Sequence, residues 1–169
     1  MRSNYLPPLI CGFGASVITI IPGFKEIGCC LIIPFASALS LYLYQKANKS
    51  IELVPIKQAV TIGLLTGIFY ALFATLFETL FTALFFTNDF VKSLPQVQET
   101  MQSFASKDIL DSVFNIYNKM AEDIQTKGFS FTYTVYFFLA TSFTGIIFGL
   151  IGGLVGMAFI NKWNRNITN

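Results

Sequence analysis

Apolar positions along the chain gather into four runs, at about 6–21, 27–44, 59–86 and 129–160, with polar stretches between them. The third run contains six consecutive four-residue units, GLLT, GIFY, ALFA, TLFE, TLFT and ALFF. Each unit opens on a small residue: Gly63, Gly67, Ala71, Thr75, Thr79 and Ala83. This stretch has about 24 residues, no proline and one charge, Glu78, and a helix of that length crosses a hydrocarbon core of roughly 30 Å. The pattern predicts an all-α polytopic membrane protein, with four transmembrane helices in a single membrane domain over 1–169.

The first two runs are separated by Pro22-Gly23-Phe24-Lys25-Glu26, a turn with both helix breakers, so they are expected to form an antiparallel hairpin. Arg2 ahead of the first run resembles the start of a signal peptide, but no small-x-small cleavage site follows, and a retained helix is expected. Between the third and fourth runs, residues 88–128 carry apolar residues at helical spacing. One stripe holds Ile109, Leu110, Val113, Ile116, Tyr117, Met120 and Ile124, with Ser106 or Asp108 as N-cap and Gly128 as the stop. A weaker stripe ahead of it, Phe90 to Phe104, is interrupted by Pro95. Two amphipathic helices capping the outer face are expected here.

Small residues set the expected packing. Rows with a small residue at every fourth position let helix backbones approach closely. In the third run the row is Gly63, Gly67 and Ala71, winding on to Thr75, Thr79 and Ala83. On a straight helix it drifts by about 40° per step, so its two halves should meet different neighbours. In the fourth run Gly145, Gly149 and Gly153 form a four-residue row, whereas Gly145, Gly149, Gly152 and Gly156 follow a seven-residue pattern. Packing inside the chain and a seam between copies are both open. The Leu and Phe rows of the third run read as lipid-facing.

Composition sharpens this picture. Charged residues make up 12% of the chain and apolar ones 54%, against about 25% charged in a soluble domain. The net charge of +2 is small and scattered, which argues against nucleic acid as a partner. With the N-terminus inside, the inner segments hold Arg2, Lys46, Lys49, Lys57, Lys162 and Arg165, and the outer loop collects most of the acids. The basic bias places both termini in the cytoplasm. The sequons at Asn48 and Asn166 then face the cytoplasm as chance matches.

Histidine is absent, which removes the usual general base and the commonest metal ligand. Cys11, Cys29 and Cys30 are an odd set with no further ligand motif, so neither a disulfide framework nor a metal is expected. No phosphate-binding loop is present, and the pairs Asp108/Asp111 and Glu122/Asp123 read as solvated helix faces. No catalytic residue and no cofactor are expected. Glu78 is the lone ionisable group in a span, flanked at helical spacing by Thr75, Thr79 and Thr82. That wedge is a candidate ion or polar site, because charges inside membranes usually face protein or water.

The run Cys29-Cys30-Leu31-Ile32-Ile33, the span ending Leu41-Tyr42-Leu43-Tyr44, the short basic loop and Ala59-x-x-x-Gly63-x-x-x-Gly67 form a series. Together they resemble a family of bacterial four-span membrane proteins known only as a domain of unknown function. The resemblance implies a bacterial cytoplasmic-membrane location and a charged helical excursion between spans three and four. The expected role is an accessory or structural subunit in the lipid bilayer, a homo-oligomer or part of a larger membrane complex, assembling through the glycine faces. The alternative is a small transporter or channel in which Glu78 handles a cation or proton.

Overall fold

The computed structural model describes residues 5–21, 24–48, 52–102 and 107–168. The Pro22-Gly23 turn, Arg2, Lys49 and the Ser106 cap lie outside them, and Cys29, Asp108 and Asp111 are described by backbone alone. Every regular element among the described residues is helical. In chain order these are α1 (Leu6–Ile20), α2 (Phe24–Ile27), a π-helical turn (Gly28–Ile32), α3 (Ile33–Asn48), α4 (Ile56–Phe85), α5 (Asp89–Gln102), α6 (Lys107–Lys127) and α7 (Phe131–Thr168).

Among the described residues, three stretches are long and apolar enough to cross a membrane: Cys30–Asn48, Ile56–Phe85 and Phe131–Asn166. The expected first span is α1, whose 15 residues extend only about 22 Å, less than a hydrocarbon core. The second and fourth helices run past the expected ends, to Asn48 and Thr168. Polar residues stop an apolar run without stopping a helix, and Gln45, Lys46, Ala47 and Lys162 are adequate helix formers. The start of α4 falls at Ile56 because Pro55 precedes it and accepts hydrogen bonds from the Gln58 and Ala59 amides.

The chain divides into two compact units, Met1–Thr75 with Phe138–Asn169, and Leu76–Phe137. In the first, one core cluster joins Cys11 and Ala15 of α1, Ile33 and Ala36 of α3, and Tyr70 and Ala74 of α4. A second joins Leu41, Val54, Ala59 and Ile62, with Met157 and Ile160 packed on it. The fully enclosed polar side chains here are Ser16, Ser37, Ser40 and Thr66. Beyond Ile33 and Leu41, which are fully buried, many large apolar side chains point outward, with Phe143 and Phe159 each at least 70% exposed. Small and hydroxylated residues inside with Leu and Phe outside is the distribution expected where the surroundings are lipid.

The π-helical turn has a local cause. Pro34 has no N–H to give the carbonyl of Cys30, and its ring crowds that carbonyl, so the preceding turn widens.

The second unit holds the end of α4, the hairpin of α5 and α6, and the start of α7. Phe86, with φ of 53°, ends α4, and its amide donates to the Thr82 carbonyl at 2.9 Å. Asn88 then caps α5 through Oδ1, which accepts from the Val91 amide at 3.0 Å. The α5 helix passes through Pro95, where the sequence suggested an interruption. Gly128, with φ of +70°, ends α6 in the left-handed conformation that side chains disfavour. The core is Met120, Ile124 and Tyr133, with Phe90, Val91, Tyr117 and Phe137 against it. On the exposed face of α6, the Asp123 carboxylate accepts from Lys127 Nζ and holds that ammonium above its ordinary pKa.

Candidate functional site

The glycines of α7 meet two different helices. On one side, a Cβ on Gly63 would strike the carbonyl of Gly149, and one on Gly149 would lie 2.5 Å from the carbonyl of Gly63. Gly67 and Gly145 are related in the same reciprocal way, and a Cβ on Gly153 would lie 2.5 Å from the Ala59 carbonyl. Ascending α4 in steps of four matches descending α7 in steps of four, so the two helices are antiparallel and hold register over three contacts. A shared repeat longer than 3.6 residues stays face to face only where the pair winds right-handed. Each glycine aims its Cα–H at a facing carbonyl, a weak but directional contact worth about 0.5–1 kcal/mol.

The other two glycines of α7 serve α3. A Cβ on Gly152 would collide with Pro34, and one on Gly156 would lie 2.8 Å from the Ala38 Cα. Both numberings ascend together, so α3 and α7 are parallel. The two spacings in the sequence are therefore two faces of one helix, each with its own neighbour. Ala71 is fully buried. Near it, Thr75 Oγ1 and Thr141 Oγ1 lie 3.4 Å apart, so α7 follows the small-residue row of α4 from Ala59 to Thr75, further than the expected change of neighbour allowed. Right-handed winding absorbs the drift that a straight partner would not. On another side of α4, Gly12 of α1 sits where a Cβ would lie 2.8 Å from the Cβ of Phe69.

In the second unit, Glu78 is half-buried, and its Oε1 accepts from the Tyr133 hydroxyl at 2.8 Å. Tyr133 is itself buried, with Phe90 at 5.3 Å and Phe137 at 5.9 Å between ring centroids. Thr82, also buried, accepts from Asn88 Nδ2 at 3.4 Å, and Thr79 is half-buried. Three members of the expected wedge have partners elsewhere in the chain: Thr75 lies beside Thr141, Glu78 accepts from Tyr133 and Thr82 from Asn88. Among the described residues, no three Cys, Asp or Glu side chains are grouped so as to hold a metal.

A polar cluster that the sequence reading passed over lies at the other end of α4. Asn161 of α7 grips the backbone of Val54 twice: Oδ1 accepts from the Val54 amide at 2.7 Å, and Nδ2 donates to its carbonyl at 3.1 Å. One turn on, Asn164 Nδ2 donates to the Glu52 carbonyl at 3.2 Å and lies 3.4 Å from Gln45 Oε1. Gln45 Nε2 also donates to the Glu52 carbonyl, at 3.0 Å. Asn161 and Asn164 are carboxamides three apart at the end of an apolar helix, so they share a face, and that spacing was the available signal. Tyr133 carried none, because its partner Glu78 is 55 residues away. Asn161→Ala should cost about 1–3 kcal/mol by leaving the Val54 amide and carbonyl short of partners. Hydrogen exchange at Val54 should quicken by at least tenfold, and an unchanged rate would show that the clamp is dispensable.

No protein-family profile matches the chain, and no curated protein or solved structure is detectably similar to it.

Proposed function

We propose that this protein is a non-enzymatic accessory or structural subunit of a bacterial cytoplasmic membrane, crossing four times with both termini cytoplasmic. In this reading α1 is the fourth span, upright in a locally thinned bilayer, and the α5–α6 hairpin is an outer cap. The observation that carries it is the glycine seam. From Ala59 to Gly67, α4 meets α7 backbone to backbone with no space for even a methyl group, the close packing that a rigid structural subunit needs.

Assembly then falls to surfaces the chain leaves open. Gly14 of α1 is the exception among the described glycines, with no atom within 4 Å of a Cβ built there. A glycine inside a helix costs about 1 kcal/mol relative to alanine, and no described residue of this chain uses the clearance at Gly14. A second copy or another membrane subunit would approach here, beside exposed Ile10, Val17 and Ile18.

The test is extraction in a mild detergent followed by identification of co-purifying chains. A stoichiometric partner, either a second copy or a different membrane protein, should be present and should be lost in Gly14→Leu without loss of the folded monomer. Recovery of a bare monomer from native-lipid discs would defeat the reading. The second reading, cation or proton handling, rests on Glu78 being a half-buried carboxylate in an apolar helix. It requires that Glu78→Gln abolish an ion flux in proteoliposomes.

A further inference from the structure

Where α3 ends and α4 begins, the chain encloses an open-mouthed cavity of about 280 Å³. Its walls include Tyr44, Gln45, Asn48, Glu52, Pro55 and Gln58. Ligand cavities usually run from roughly 300 to 1,000 Å³, so this one suits a fragment the size of a single sugar or a glycerol group.

The polar groups on these walls fall into two sets. Gln45 is buried and fixed, since its Nε2 donates to the Glu52 carbonyl and its Oε1 faces Asn164. The Asn48 amide donates to the Tyr44 carbonyl at 3.0 Å, which orients that side chain and leaves Oδ1 to accept. Against this rigid set stand two groups with no partner among the described residues, the Tyr44 hydroxyl and the Gln58 carboxamide, both on half-buried residues.

A carboxamide presents a donor and an acceptor side by side, and a phenol does both through one oxygen. Adjacent hydroxyls of a polyol need that pairing, because each hydroxyl donates once and accepts. The Tyr44 ring and Pro55 add an apolar wall for the C–H face of such a molecule. Among the described lining residues there is no Lys or Arg to offset the charge of an anion.

We propose that this cavity binds a small neutral polyol, with the Tyr44 hydroxyl and the Gln58 carboxamide as its free recognition groups and Gln45 and Asn48 as its fixed wall. The polyol is either the sugar headgroup of a glycolipid or a free sugar. The two sources share the same hydroxyl chemistry. This assignment does not depend on the subunit role, since it concerns a ligand and not a protein partner.

The test uses the full chain, stripped of lipid in a polyoxyethylene detergent that brings no sugar of its own. Native mass spectrometry then compares monoglucosyl diacylglycerol, free glucose and phosphatidylethanolamine as probes. Binding of the glucosyl lipid alone assigns the headgroup, and binding of glucose as well assigns the free sugar. In both cases phosphatidylethanolamine should bind more weakly. Tyr44→Phe with Gln58→Leu should weaken polyol binding about tenfold, the loss expected for one to two hydrogen bonds. Thr61→Val, on an exposed neighbouring position, should leave it unchanged. On the unaltered protein, saturation with the glucosyl probe should slow hydrogen exchange at residues 53–58, a readout that no folding defect can mimic. No preference for either polyol over phosphatidylethanolamine, binding that survives the double substitution, or unchanged exchange at 53–58 would each overturn the assignment.

Discussion

Gly67→Leu should destabilise the fold by at least about 3 kcal/mol. The Cβ alone would enter the backbone carbonyl of Gly145, and no rotamer moves a Cβ. The helices must separate, and separation also breaks the reciprocal contact at Gly63 and Gly149 and the approach of Gly153 to Ala59. Inserting atoms into a packed interior costs about 1–3 kcal/mol where side chains can adjust. Here the obstacle is main chain on both sides, so the upper end of that range is the minimum. Gly145→Leu should be equally severe. The double substitution should cost less than twice either single one, because both relieve the same contact once the helices part. Measured by thermal melting in detergent, near-wild-type melting for Gly67→Leu would show that α4 and α7 do not meet as described. Gly14→Leu is the matched control, with open space in front of it and little expected change in the monomer.

Tyr133→Phe should have the second largest effect. It removes the hydroxyl that Glu78 Oε1 accepts from at 2.8 Å, yet keeps the ring tilted against Phe90 and Phe137. A half-buried carboxylate deprived of a donor loses about 1–3 kcal/mol. Glu78→Gln should be much milder, because a carboxamide oxygen still accepts from the phenol. The comparison separates the structural role of Glu78 from a transport role: the first predicts that Gln substitutes well, the second that it abolishes flux. Equal loss of stability from both substitutions would mean that Glu78 is held by its charge and not by this hydrogen bond.

Much of the helical layout was legible because it follows from local rules. The apolar runs of 59–86 and 129–160 found α4 and α7, and Gly128 ended α6 where the stripe of Met120 and Ile124 ended. Helix ends at Asn48 and Thr168 were misplaced because hydropathy marks the membrane boundary and not the hydrogen-bond ladder. The glycines of α7 were visible, but their allocation was not. Gly152 and Gly156 belong to Pro34 and Ala38, and nothing in the spacing says which neighbour stands on which side. The partners of the threonine wedge were hidden for a related reason. Helical spacing puts Thr75, Glu78 and Thr82 near one another, but Thr141, Tyr133 and Asn88 decide what each does.

The antiparallel seam also constrains how this chain is made. Gly145 leaves the ribosome about 80 residues after Gly67. At about 5–20 residues per second, this delay is some 4–16 s. Through that interval α4 stands in the bilayer with its groove vacant, and lipid tails or an insertase must occupy it until the last helix arrives to displace them.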